Sequence, residues 1–334
     1  MRFLLDTEQR DFADALRALL AAADTPAVVR DWSRGEQASG RALWGRIGEA
    51  GVFGLAVPEE FGGMGRLSVE LAVAFVELGR YAVPGPLAET VAAAVLLDDG
   101  EGLAKRFLPG IASGETVATV AFEKHGYGFA LDGDAADVRL AATPEGLRLS
   151  SGAGAVRRSL DPARRLAPLF PVGELIGTEP PWAEALTWAR LVTAAQALGV
   201  GLALLDRTVT YVKQRTQFGV PVGSFQAVRH RLADVKIALE FARPLVFGAA
   251  VTMTPSDVAA AKLGACEAAY AGARAALQLH GAIGYTAEYD LSLWVTKARA
   301  LRGAWGAPEE CRRMVLERRQ PRVVSGWSRS SPRP

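Results

Sequence analysis

The chain has 334 residues, 50% of them hydrophobic and 22% charged, enough apolar material for one large or two modest domains and too much for a disordered chain. Its net charge of +2 hides an asymmetry: seven arginines against Glu317 give residues 312–334 a net of +6, leaving about −4 on the remainder, so nucleic acid is not an expected partner of the body. Two cysteines, Cys266 and Cys311, exclude a disulfide framework and a four-ligand zinc site, and His125, His230 and His280 are not at ligand spacing and read as surface or internally satisfied histidines. A charge at Asp6 comes too early for a signal peptide, and the chain lacks a charge-free apolar run of ~18 residues, so a reduced, cytoplasmic protein without a membrane span is expected.

The first ~100 residues carry helical spacing. Asp6 or Thr7 is a candidate cap for a helix with Phe12, Leu16, Leu19 and Leu20 on one face, and Pro26 marks a new start. Residues 39–50 form an amphipathic stretch ended by Gly51, residues 54–65 hold glycines and a proline that force a loop, and 67–81 and 86–98 resume the helical pattern. Residues 115–178 differ: short runs at 116–122, 137–142 and 147–149, separated by turn residues, predict a small antiparallel β domain. From 184 the pattern is helical again: a long helix to 214, a loop with Gly219, Pro221 and Gly223, a helix capped by Ser224 and running to about Phe247, another from Pro255 to the glycines at 281–284, and one over 290–302. The class is α+β, with a helical domain over 1–114, a reduced β domain over 115–180, a four-helix bundle over 181–320 and a disordered basic tail over 321–334.

The richest segment runs from Arg215 to His230. It is a helix end, a tight turn and a helix start, presenting Arg215, Gln217 and freed backbone N–H groups suited to a phosphate, with Phe218 and Phe225 able to cover a flat ring. The plainer account is an ordinary helix–loop–helix whose arginine neutralises a helix C-terminus. A second segment, Gln278 to Tyr289, contains glycines that let a backbone approach a ligand, or that simply end a helix. Cys266 reads as a small buried hydrophobe; Cys311 lies among arginines able to lower its pKa, though a structural role is the simpler reading.

In order and spacing, these segments resemble the acyl-CoA dehydrogenase family over nearly the whole chain. The carriers are Phe3 to Gln9, Val57-Pro58-Glu59-Glu60-Phe61-Gly62-Gly63-Met64-Gly65, Phe107 to Glu115, Arg215-Thr216-Gln217-Phe218-Gly219 with Phe225-Gln226, and Gln278 to Tyr285. The resemblance implies N-terminal helices, a middle β domain, a C-terminal bundle, FAD at a subunit interface, an acyl-CoA substrate, and electron-transfer flavoprotein as acceptor. It assigns Arg215, Gln217, Phe218 and Gln226 to the diphosphate and adenosine end of a neighbouring subunit's FAD. Gln278, Gly281 and Ala282 fall along the diphosphate and ribityl region, with Ala282 in place of a family glycine.

The family's reaction needs a carboxylate to take the proton α to the thioester. Its two known placements fall here on Trp305 and Ala189, neither able to accept a proton; Arg190 keeps the family arginine, with a substrate-side positioning role. The family's flavin-contacting loop is replaced by residues 121–129. Three readings of the expected homo- or hetero-oligomer follow: a hetero-oligomer in which a second, different acyl-CoA dehydrogenase subunit supplies the base; a self-sufficient homo-oligomeric enzyme with a base relocated to Asp206, Glu240, Glu309 or Glu310, each otherwise a solvated helix residue; and a scaffold that binds neither flavin nor acyl-CoA.

Overall fold

Local capping chemistry sets the first helices. In the computed structural model, which describes residues 5–98, 102–122, 128–170 and 172–317, α1 (Thr7–Ala21) opens on a capping box. Asp6 accepts from the Gln9 amide at 2.8 Å and the Gln9 side chain accepts from the Asp6 amide at 3.1 Å. In α2 (Thr25–Arg34), Asp24 is the cap, Pro26 lies in the first turn and Gly35 ends the helix at φ 86°. α3 (Ala38–Glu49) leads into two short 3-10 turns, Phe53–Ala56 and Glu59–Phe61, within the expected loop. α4 (Ser68–Arg80) and α5 (Leu87–Leu96) follow; every residue of α5 is buried, which makes it the centre of this half. α6 (Gly102–Ser113) tolerates Pro109 and was not foreseen as a separate helix.

The β region contains β1 (Ala118–Phe122), β2 (Phe129–Leu131), β3 (Val138–Thr143), β4 (Gly146–Leu149), β5 (Leu166–Pro168) and β6 (Leu175–Gly177). A four-stranded sheet has the order β1-β3-β4-β6, and β2 pairs with β5 in a separate ribbon. The expectation of an antiparallel domain is corrected at one edge: β1 and β3 are parallel, with Ala118 opposite Val138. The link between them is of about the dozen or more residues a parallel crossover needs, and it leaves the sheet to form β2.

The C-terminal helices are α7 (Trp182–Gln214), α8 (Gln226–Thr252), α9 (Pro255–His280), α10 (Leu291–Gly303) and α11 (Pro308–Glu317), the last not foreseen. Two boundaries differ from expectation. Ser224 does not cap α8: its hydroxyl donates to the Pro221 carbonyl at 2.7 Å inside a 3-10 turn, and Phe225 holds the cap position without a side-chain bond. α8 also continues past Phe247 to Thr252, ending where Met253 turns left-handed at φ 48° ahead of Pro255. α7 is long and apolar enough to cross a membrane, but its apolar window is 94% buried within the fold. It lies against α9 on one side and α4 and α5 on the other. The α4–α7 crossing is so close that a Cβ on Gly199 would lie 1.9 Å from the Val76 carbonyl oxygen, and one on Gly79 2.1 Å from that of Gln196. One continuous core runs from Leu16 through Val120 and Leu140 to Leu301. The tail over 321–334 lies outside the described residues.

Candidate functional site

The end of α7 and the start of α8 build a protruding corner. The Arg215 amide closes α7 on the Tyr211 carbonyl, and a two-stranded hairpin follows, β7 (Thr216–Gln217) and β8 (Val220–Pro221). Its turn places Phe218 at φ 54° and Gly219 at φ 79°. Arg215, Gln217 and Gln226 are exposed, and Phe218 is 92% exposed, meeting only the edge of Phe225 at 6.3 Å between ring centres. Among the described residues, the Arg215 side chain has no hydrogen bond or ion pair, so it does not serve as a helix cap within this chain.

α9 ends beside this corner. Tyr211 stacks on His280 at 4.1 Å and donates its hydroxyl to the His280 carbonyl at 3.4 Å, tying the two helix ends together. Gln278, Gly281 at φ 66° and Ala282 are exposed, and a Cβ at Gly281 would meet nothing within 4 Å among the described residues. A bare arginine, two exposed phenylalanines, glutamine amides and a glycine turn fit a diphosphate and a flat ring presented from outside the chain.

Of the two positions at which the resemblance places the base, one is buried and the other partly buried. Ala189 is fully buried in α7. Trp305 sits in the link between α10 and α11 at φ 57°, its ring edge-on to Phe122 at 5.5 Å, its indole N–H donating to Glu89 Oε1 at 3.1 Å. Two buried cations hold the link. Arg190 donates to the Trp305 carbonyl at 2.8 Å and pairs with Glu310; Lys262 on α9, 1% exposed, donates to the carbonyls of Gly306 at 2.7 Å, Arg302 at 3.3 Å and Leu301 at 3.5 Å. Arg190 is therefore a structural tie in this chain, and its side chain is satisfied without a substrate.

Glu89 escaped the sequence reading. It is the lone carboxylate of an otherwise apolar helix, which was the available signal. Only 5% exposed, it receives Trp305, has Arg164 at 3.6 Å, and leaves Oε2 without a partner. Of the candidate relocated bases, Asp206 pairs with Arg80 at 3.0 Å, Glu240 lies 3.9 Å from Arg243 and Glu309 3.7 Å from Arg312, as solvated helix residues do; Glu310 is engaged by Arg190.

Nearby, Asp132 is completely buried at the end of β2, and burial pushes its carboxyl up to about 8 against the modest pull of Trp32 and Arg164. Neither of its oxygens has a well-aligned hydrogen bond. Asp161 and Lys297 form a buried ion pair at 3.4 Å. Cys266 is a buried small side chain, as expected, and burial raises its thiol to about 11. Cys311 is also buried; burial outweighs Lys262 and Arg190 and raises its thiol, which corrects the idea that its arginine neighbours lower it. The replaced flavin loop at 123–127, with His125, lies outside the described residues.

Comparison with known proteins accounts for this arrangement. Residues 6–115 match the model of the acyl-CoA dehydrogenase N-terminal domain and residues 182–320 that of the C-terminal domain. The chain is 34% identical over 317 residues to the acyl-CoA dehydrogenase IpdE2 of Mycolicibacterium smegmatis, covering 93% of this chain and 99% of the relative. It is 33% identical to the IpdE2 of Mycobacterium tuberculosis over 92% and 96% of the two chains. Its fold superposes on butyryl-CoA dehydrogenase from Megasphaera elsdenii with a TM-score of 0.80 at 23% identity (95% and 99% coverage), and on a chain of the ChsE4-ChsE5 complex from Mycobacterium tuberculosis with 0.79 at 25% (96% and 100%). The chain belongs to the acyl-CoA dehydrogenase family, whose members are flavoprotein oxidoreductases of lipid metabolism.

Proposed function

We propose that this chain is the base-less subunit of an acyl-CoA dehydrogenase assembly: it grips the FAD of a second, different subunit through the α7–α8 corner, and that subunit supplies the carboxylate. The observation that carries the reading is Trp305. The indole fills the family's base position, its one polar hydrogen committed to Glu89, while Ala189 occupies the other placement. The corner, by contrast, keeps its arginine and phenylalanine free for an outside ligand. One likeness supports a two-chain assembly, since the ChsE4-ChsE5 structure is described as a complex of two proteins.

In this reading Arg215 offers its guanidinium to the diphosphate, Gln217 and Gln226 supply amide donors, and Phe218 shields a flat ring from water. Gln278, Gly281 and Ala282 line the same dinucleotide. The chemistry the flavin supplies when bound is acceptance of hydride from the carbon β to an acyl-CoA thioester. No residue of this chain at the family positions can take the α proton. Electron-transfer flavoprotein is the proposed acceptor, and the site of action is the cytoplasm.

The test is co-expression with the product of a neighbouring gene. The expected outcome is a yellow complex of two kinds of chain that dehydrogenates an acyl-CoA with an artificial acceptor, while the purified lone chain does not. Robust turnover by the lone chain with stoichiometric FAD overturns the proposal.

A further inference from the structure

A cavity of about 430 Å³ opens between the C-terminal ends of α1 and α4, the lower half of α7 and the start of α10. Arg17, Arg80 and Arg207 all line it, but they are not equivalent. Arg17 is held by Glu77 at 2.8 Å, and Arg80 by Asp206 at 3.0 Å. The acid on the far wall, Asp290, is taken by Arg30 at 2.6 Å. Among the described residues Arg207 has no hydrogen bond and no carboxylate within ion-pair reach; its guanidinium carbon lies over the Trp294 ring, 3.7 Å from the centroid, and the side chain is exposed. One face is thus covered by an indole, and the donors are open to an anion from solvent. Burial of part of the side chain against Trp294 lowers its pKa, against the smaller opposing pull of Asp290. A guanidinium stacked on an aromatic ring with an open donor fork is suited to a carboxylate or phosphate.

The remaining walls suit a flat body. Tyr81, Tyr211 and Tyr289 line the cavity, and Tyr211 and Tyr289 flank His280 at 4.1 and 5.6 Å between ring centres. His280 is 5% exposed and its Nε2 has no partner, an unsatisfied polar atom behind the aromatic wall. Gln278, two residues earlier on α9 and therefore on the opposite side of that helix, is the exposed residue assigned to the flavin corner. The cavity lies within the size range of small-molecule sites.

We propose that this cavity binds a small ligand with an anionic head on a flat ring, the head seated on Arg207 and the ring against the tyrosines. This goes beyond the dehydrogenase reading and does not depend on it. Two sources share the chemistry, a nucleoside monophosphate and an aromatic carboxylate. The experiment is isothermal titration of the full chain with four probes: adenosine 5′-monophosphate, benzoate, adenosine and inorganic phosphate. The expected result is saturable binding of the monophosphate or of benzoate, whichever source is correct, and at least ~10-fold weaker binding of adenosine and phosphate, which lack one half of the recognition. Arg207→Gln weakens the binding at least ~10-fold, and Lys105→Gln, exposed on α6 and outside the cavity, leaves it unchanged. Should Arg207→Gln unfold the chain, Thr210→Glu, on the exposed rim, places an anion in reach of Arg207 and abolishes binding by occupying it. Absence of binding by both ring-bearing anions, loss of binding through Lys105→Gln alone, or binding indifferent to both cavity variants overturns the proposal.

Discussion

Asp132→Asn isolates the energetic consequence of one buried carboxyl. Burial raises Asp132 from an ordinary 3.8 to about 8, chiefly because the charged form loses water that Trp32, Arg164 and Arg165 do not replace. Between those two values the folded chain holds a proton that the unfolded chain has released. Stability attributable to this group is therefore complete below about pH 4 and falls as pH rises, by ~1.4 kcal/mol per pH unit, until it levels off above about pH 8. Integrated over the window, the loss has a ceiling on the order of 5 kcal/mol. Asparagine has nearly the same shape and cannot ionise. Urea unfolding of both chains from pH 5 to pH 9 gives the measurement, with the difference between their stabilities plotted against pH. The expected difference turns in favour of the Asp132→Asn chain by several kcal/mol toward pH 9 and shrinks by about one proton's worth per unit toward pH 5. Parallel profiles for the two chains would refute the argument, because every other titrating group is common to both.

Other perturbations probe the remaining features. Arg215→Ala should weaken FAD retention in the assembled complex by ~1.5–3 kcal/mol, read by flavin absorbance after gel filtration; unchanged flavin content removes the role given to this arginine. Lys262→Met strips three carbonyls of a buried donor and should cost ~3 kcal/mol of stability, measured by urea unfolding, with a loss below ~1 kcal/mol showing that the loop re-satisfies itself. Gly199→Ala drives a methyl into the Val76 carbonyl and should lower the thermal midpoint by several degrees, whereas Gly45→Ala, which meets nothing within 4 Å, should not. Trp305→Glu sets a second carboxylate against Glu89; adding Glu89→Gln should raise the melting temperature of that variant at pH 8, and no gain would mean the new side chain points elsewhere.

Elements with local signals were legible in the sequence. The Asp6–Gln9 box, Pro26, the glycines around the loop at 54–65 and Pro255 each act within a few residues, and the helices begin and end near them. The parallel β1–β3 pairing was not legible, because each strand read alone fits either direction and only the path of the intervening chain decides. Ser224 shows the converse failure: a residue type suited to capping was drawn into a tighter turn one position too early. At the site, the exposed corner could be read because Arg215, Gln217 and Phe218 are adjacent in sequence. The cluster of Glu89, Trp305, Arg190 and Lys262 could not, since four separate elements bring it together. Asp132 was missed for the same reason: its burial depends on α2 and on the segment before β5.

The double cationic grip on the α10–α11 link has a consequence for how position 305 can vary. Arg190 and Lys262 hold main-chain oxygens, Trp305 and Gly306 respectively, rather than the side chain at 305. The hydrogen bonds that fix the path of the polypeptide there thus do not depend on which residue it displays. On the proposed reading, such a mount lets a carboxylate give way to an indole without being rebuilt, so that a subunit sheds chemistry while keeping the outline its neighbours require.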